Sequence, residues 1–188
     1  MIRTSIILFI SLLAGHLHAA DKIPAGYVMQ VMEPTGGKIL RPEGWHYHER
    51  HGEKSWMWTI SREDTNGGKD PYDTGVRIQT FMGVEKGTGK TPEAFVRGFI
   101  EGKKKTAGKV HRNCGANDQG MFTRICTEVT EGDYRILYSA FWGNGMDIVV
   151  ISISGAKADE WGKYAKTFDT MGAFELIDME RFTQGGKK

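Results

Sequence analysis

The stretch Tyr134 to Ser154, YRILYSAFWGNGMDIVVISIS, constrains the fold more than any other part of this chain. It reads as two long strands joined at Gly143-Asn144-Gly145. In the first strand Ile136, Tyr138, Ala140 and Trp142 alternate with Leu137, Ser139 and Phe141, and Ile148 to Ile153 is a nearly unbroken β-branched run. Gly-Asn-Gly supplies residues that tolerate positive φ, which a tight hairpin requires. Apolar residues on both faces call for cover on both, so this pair should sit at the centre of a sheet with a helix on one side.

Around that centre the remaining segments fall into order. Tyr27 to Glu33 reads as a first strand, ended by Pro34-Thr35-Gly36-Gly37, and pairing resumes at Lys38 to Leu40. Trp45 to Arg50 alternates so that Trp45 and Tyr47 share one face and His46 and His48 the other, and Ser55 to Ser61 places Trp56, Trp58 and Ile60 together. Residues 62–74, REDTNGGKDPYDT, are turn formers and charges, predicting a long solvated loop that could rim a binding surface. Gly75 to Val84 is another strand, and Glu85 to Lys90 reads as a loop. Thr91-Pro92-Glu93 opens a helix to about Thr106: a hydroxyl cap, a proline whose missing N–H is harmless, and an acid in the positive first turn. Phe95, Val96, Phe99 and Ile100 form its apolar stripe, and Lys103, Lys104 and Lys105 lie in its last turn, where cations suit the helix dipole. A second helix over 158–170 carries Trp161, Tyr164, Ala165 and Phe168, followed by a short strand ending at Ile177.

The first twenty residues differ from the rest. Arg3 precedes the apolar run Ile6 to Leu13 and small residues end at Ala19-Ala20, the pattern of a secretory signal peptide with cleavage after Ala19 or Ala20. The expected organisation is therefore a leader at 1–20, one globular domain at 21–178 and a polar tail at 179–188. The product is expected in the periplasm or outside the cell, and no segment suggests a transmembrane anchor. Twenty-five basic residues nearly balance twenty-three acidic ones, which argues against a nucleic-acid partner. Cys114 and Cys126, on the two arms of a hairpin turning near Asn117 to Gly120, are expected to form a disulfide in an oxidising compartment; two buried free thiols are the alternative.

No residues announce catalysis. Ser139, Ser152 and Ser154 lie within strands rather than at a nucleophile elbow, and the Gly-rich pieces lack a Lys-Ser/Thr phosphate cradle. Glu63, Asp64, Asp70 and Asp73 cluster in the polar loop, where a loose Ca²⁺ site is the one chemical reading. The sharpest constellation is Trp45 to His51, since His46 and His48 share a face and His51 could swing in from a turn, giving three imidazoles for Zn²⁺ or Cu²⁺.

The order of strands and helices resembles the PsbP-like fold, which includes the extrinsic PsbP subunit of photosystem II, Mog-type proteins and bacterial envelope proteins of the DcrB type. The resemblance spans Tyr27 to Ile177 and rests on this layout, on Pro42-x-Gly44-Trp45 and on the segment Phe168 to Phe174. It implies an α+β fold, an antiparallel sheet covered by two helices as an α/β/α-type sandwich. It also implies a binding or assembly module, not an enzyme, that meets an envelope protein or a small ligand without a cofactor. DcrB-type proteins are commonly lipid-anchored; here His16 stands where a lipobox cysteine would. The alternative function is a periplasmic metal-binding domain using His46, His48 and His51.

Overall fold

The computed structural model describes residues 23–181, so the leader and the last residues of the expected tail lie outside it. In chain order the elements are β1 (Tyr27–Met32), β2 (Gly36–Pro42), β3 (His46–Gly52), β4 (Ser55–Ser61) and β5 (Gly75–Met82). Helices α1 (Val84–Thr88) and α2 (Pro92–Thr106) follow, and then β6 (Lys109–Asp118), β7 (Phe122–Glu131), β8 (Tyr134–Gly143) and β9 (Ile148–Lys157). Helix α3 (Trp161–Met171) and β10 (Glu175–Ile177) complete the series. A seven-stranded antiparallel sheet runs β3-β4-β5-β9-β8-β7-β6, and a three-stranded one runs β1-β2-β10. Strand β9 is the middle strand of the large sheet, so the hairpin read as its centre is there.

Alternation along β8 divides the interior. Ile136, Tyr138, Ala140 and Trp142 join an apolar cluster with Val96 and Ile100 of α2, with Phe95 and Phe99 packed alongside. Leu137 and Phe141 belong to a second cluster with Trp161, Tyr164 and Phe168 of α3, Trp58 and Ile60 of β4, and Met32 and Ile39 of the small sheet. Burying a side chain of this size contributes about 1.5–3 kcal/mol. Helix α2 lies against β7, β8 and β9, and α3 against β2 and β9. Among the described residues no helix is long and apolar enough to cross a membrane.

The helix starts as its sequence specifies. Thr91 Oγ1 accepts from the Ala94 N–H at 3.2 Å, Arg97 pairs with Glu93 one turn away, and Lys103 reaches Glu131 at 3.3 Å while lying 4.6 Å from the Tyr138 ring centroid. Lys103 is thus a tie between α2 and the sheet, and Lys104 pairs with Glu101.

Four local expectations change. The strand at the N-terminus does not extend the large sheet: β2 pairs with β1 on one side and β10 on the other. At that junction a Cβ on Gly37 would lie 2.3 Å from the Leu176 carbonyl oxygen, so only glycine lets β10 approach. The segment after β5, expected to be a loop, opens with the short helix α1. Its first N–H groups are capped by Asp147, 62 positions along the chain from Glu85, at 2.8 Å. Within Gly143-Asn144-Gly145 only Gly145 adopts positive φ, at 76°. Asn144 instead clamps the neighbouring hairpin: its amide donates to the Gly120 carbonyl at 2.6 Å and its carbonyl accepts from Thr123 Oγ1 at 3.0 Å. Residues 179–181, placed in the polar tail, form a helical turn, and Arg181 pairs with Glu33 at 2.8 Å.

Candidate functional site

Strands place alternate residues on opposite faces, and α2 occupies only the β7–β9 portion of the face it packs on. Over β4 and β5 on that face the cover is the 62–74 loop, which lines a cavity of about 540 Å³. Met57 and Thr59 of β4, Arg77 of β5, Ile136 of β8 and Ile153 of β9 form its floor, and residues 68–73 form its lip.

The polar loop is ordered by its own side chains. Thr65, 1% exposed, accepts backbone N–H bonds from Lys69 and Asp70 at 2.8 and 2.9 Å through its carbonyl and from Gly68 at 3.1 Å through Oγ1. Asp64 accepts from the Asn66 N–H, which is how Asn66 holds a φ of 48°. Glu63 accepts from the Thr74 N–H at 3.1 Å, and the Arg62 guanidinium donates to the Tyr164 hydroxyl of α3. A long loop that makes these bonds is a fixed lip rather than a solvated tether.

Two charges distinguish the cavity. Asp73 accepts from the Tyr134 hydroxyl and pairs with Lys157 at 3.2 Å, and the Tyr134 bond first, then Lys157, hold its carboxyl below the usual range. The same bond raises the Tyr134 hydroxyl. Burial raises the Tyr72 hydroxyl, which the nearby Arg77 charge partly opposes. Arg77 projects from an inner strand of the sheet, and its side chain has no ion pair or hydrogen bond among the described residues. A cation on a largely apolar floor, with no ion-pair partner among the described residues although Asp70 and Asp73 line the same cavity, can receive an anionic group.

The other residues singled out by the sequence are dispersed. His46 and His48 share a face of β3. His48 Nε2 is buried without a hydrogen-bond partner, 3.7 Å from Asp64 Oδ1. His51 points to the opposite face, its ring 5.8 Å from Trp58 and its Nε2 3.7 Å from Glu49. The strand runs on through Gly52, so no turn brings His51 across. Among the described residues no group of three His, Cys, Asp or Glu side chains is placed to hold a metal ion. Glu63, Asp64 and Asp73 each have the separate partners described above. Cys114 and Cys126 are direct cross-strand partners, with Cα atoms 4.8 Å apart, and form a disulfide.

No protein-family model matches the chain, and no curated protein sequence matches it. Among solved structures it is similar to the solution structure of cyanobacterial PsbP (CyanoP) from Synechocystis sp. PCC 6803. The TM-score is 0.51 and the identity 14%, and the match covers 82% of this chain and 94% of that one. The fold is PsbP-like. Within this PsbP-like domain the features that sequence reasoning missed are the union of Asp73, Tyr134 and Lys157, and the placement of Arg77 beneath the loop. Tyr134 lies 61 positions from Asp73, so no local pattern could have joined them. Arg77 did carry a signal, a charge between Val76 and Ile78 in an otherwise buried strand.

Proposed function

We propose that this chain is an exported, non-enzymatic binding module of the bacterial envelope. Its leader at 1–20 directs export, and its single domain, an α/β/α-type sandwich with α2 and α3 on the two faces of the large sheet, takes its ligand in the cavity behind the 62–74 loop. The observation that carries this reading is the unpaired Arg77 on the cavity floor, facing a hydrogen-bonded lip. A ligand with a negative group and an apolar body fits: Arg77 meets the charge while Met57, Ile136 and Ile153 meet the body. The ligand would be a small molecule or a segment of an envelope protein.

The test has two arms. The chain is expressed whole, and recovery from the periplasmic fraction at the intact mass of the 21–188 product supports export. The mature protein is then screened by thermal shift and isothermal titration against amphipathic carboxylates and acidic peptides. Binding by the wild type that weakens about tenfold or more in Arg77→Ala, at unchanged stability, supports the reading. Turnover of an ester or glycoside panel by the purified protein would overturn the non-enzymatic part.

A further inference from the structure

On the sheet face opposite that cavity, alternate positions of β7, β8 and β9 should be apolar, because α3 packs there. Among those that are not, Arg124 on β7, Ser139 on β8, and Ser152 and Ser154 on β9 fall together. Ser139 and Ser152 are direct cross-strand partners, and the three serines are 7%, 3% and 4% exposed. With the end of α3, at Phe168, Asp169 and Gly172, they line a separate cavity of about 190 Å³.

The charges around it do not balance locally. Arg112 and Arg135 both hold Glu128, at 3.2 and 2.5 Å, and Arg112 also reaches Asp169 at 3.5 Å. Both carboxylates are thus engaged by other arginines. Arg124 Nη2 donates to Ser139 Oγ at 2.8 Å, its guanidinium lies 5.9 Å from the Phe141 ring centroid, and its Nε is buried with no hydrogen-bond partner. Burial, and then Arg112, push its pKa down, and Asp169 opposes them. A partly desolvated guanidinium without an ion-pair partner is unfavourable, and Ser hydroxyls can turn to donate toward whatever balances it.

We propose that this cavity binds a small oxyanion, held by the Arg124 guanidinium and by the hydroxyls of Ser139, Ser152 and Ser154. A tetrahedral anion and a carboxylate share this chemistry, since both present oxygens to a fork of N–H groups and to short hydroxyl donors. The site lies across the sheet from Arg77 and does not depend on the ligand proposed for that cavity.

Isothermal titration of the mature protein with sodium sulfate, sodium phosphate and sodium acetate, each matched in ionic strength with sodium chloride, tests it. Saturable binding of at least one oxyanion is expected, with sulfate and phosphate preferred if the ligand is tetrahedral and acetate if it is a carboxylate. Arg124→Met weakens that binding about tenfold or more. Ser139→Asp, which puts a carboxylate against Arg124, abolishes it and raises the thermal midpoint in oxyanion-free buffer, so the outcome stays readable even if Arg124→Met fails to fold. Arg77→Ala leaves the binding unchanged, which separates this site from the other cavity. Absence of oxyanion binding in the wild type, or equal binding by wild type and either Arg124→Met or Ser139→Asp, overturns the proposal.

Discussion

Behind the 62–74 loop the paired charges sit on the lip and at a strand end, where water reaches them: the side chains of Asp73 and Lys157 are 42% and 49% exposed. Beneath α3 they sit within the strands, and Glu128, held by two arginines, is 6% exposed. The same ionic chemistry therefore has different consequences on the two sides of one sheet. Exposed pairs contribute little to stability and are free to serve recognition, whereas a desolvated carboxylate leaves two arginines stranded if it is lost. Binding at the loop cavity should be separable from folding, and Glu128 on the α3 side should not tolerate loss of its charge.

The largest effect expected from this contrast is at Glu128. Glu128→Gln keeps the volume and removes the charge, and urea denaturation should show a loss of about 3 kcal/mol. A loss under about 1 kcal/mol would mean that the arginine pair relaxes into solvent, and the contrast between the two sides would fail.

The disulfide comes next, since Cys126 lies in the apolar cluster on the α3 side of the sheet. It joins residues 12 apart in sequence, and Cys114→Ala/Cys126→Ala should cost about 2–3 kcal/mol through the freed loop-closure entropy of the unfolded chain. Denaturation of the double variant beside the oxidised wild type measures it, with alkylation before and after reductant confirming the oxidised state. A double variant as stable as the wild type would show that the hairpin is held by Asn144 and the packing of β7 alone.

The smallest effect belongs to the loop. Because the folded pKa of Asp73 is depressed, the ionised form is favoured by folding. Its contribution is complete above the ordinary carboxylate range, near pH 4, and is lost as pH falls through the folded value. Thermal midpoints from pH 7 down to about pH 2.5 should therefore show a shallower acid decline in Asp73→Asn than in the wild type. At pH 7 the two should differ only slightly, because the group is exposed. A large loss at pH 7 would put the loop side on the same footing as the α3 side.

Strand content, helix α2 with its Thr91 cap, and the pairing of Cys114 with Cys126 were all legible, because each depends on neighbours along the chain or across one hairpin. The long polar segment 62–74 was legible as the rim of a surface, although not as a lip held by Thr65. The separate small sheet was not legible, because β2 and β10 meet only after α3 has brought the chain back across nearly its whole length. Helix α1 was missed for a related reason: the carboxylate that caps it comes from the β8–β9 turn. The serines at 139, 152 and 154 were read as strand residues, which they are; their alignment beside Arg124 needed the register of three strands.

What the sequence determined by itself is the long strands, the helices α2 and α3 and the two-sided burial of the central pair, because periodicity and capping act over a few residues and are written locally. What only the tertiary structure decided is where charge ends up. Arg77 and Arg124 are both arginines in strands. One lies exposed under a loop and the other is desolvated against Phe141, and that difference comes from which segments happen to cover each face. Burial and counter-charge depend on distances between residues far apart in the chain, and it is these that turn an ordinary strand residue into a site.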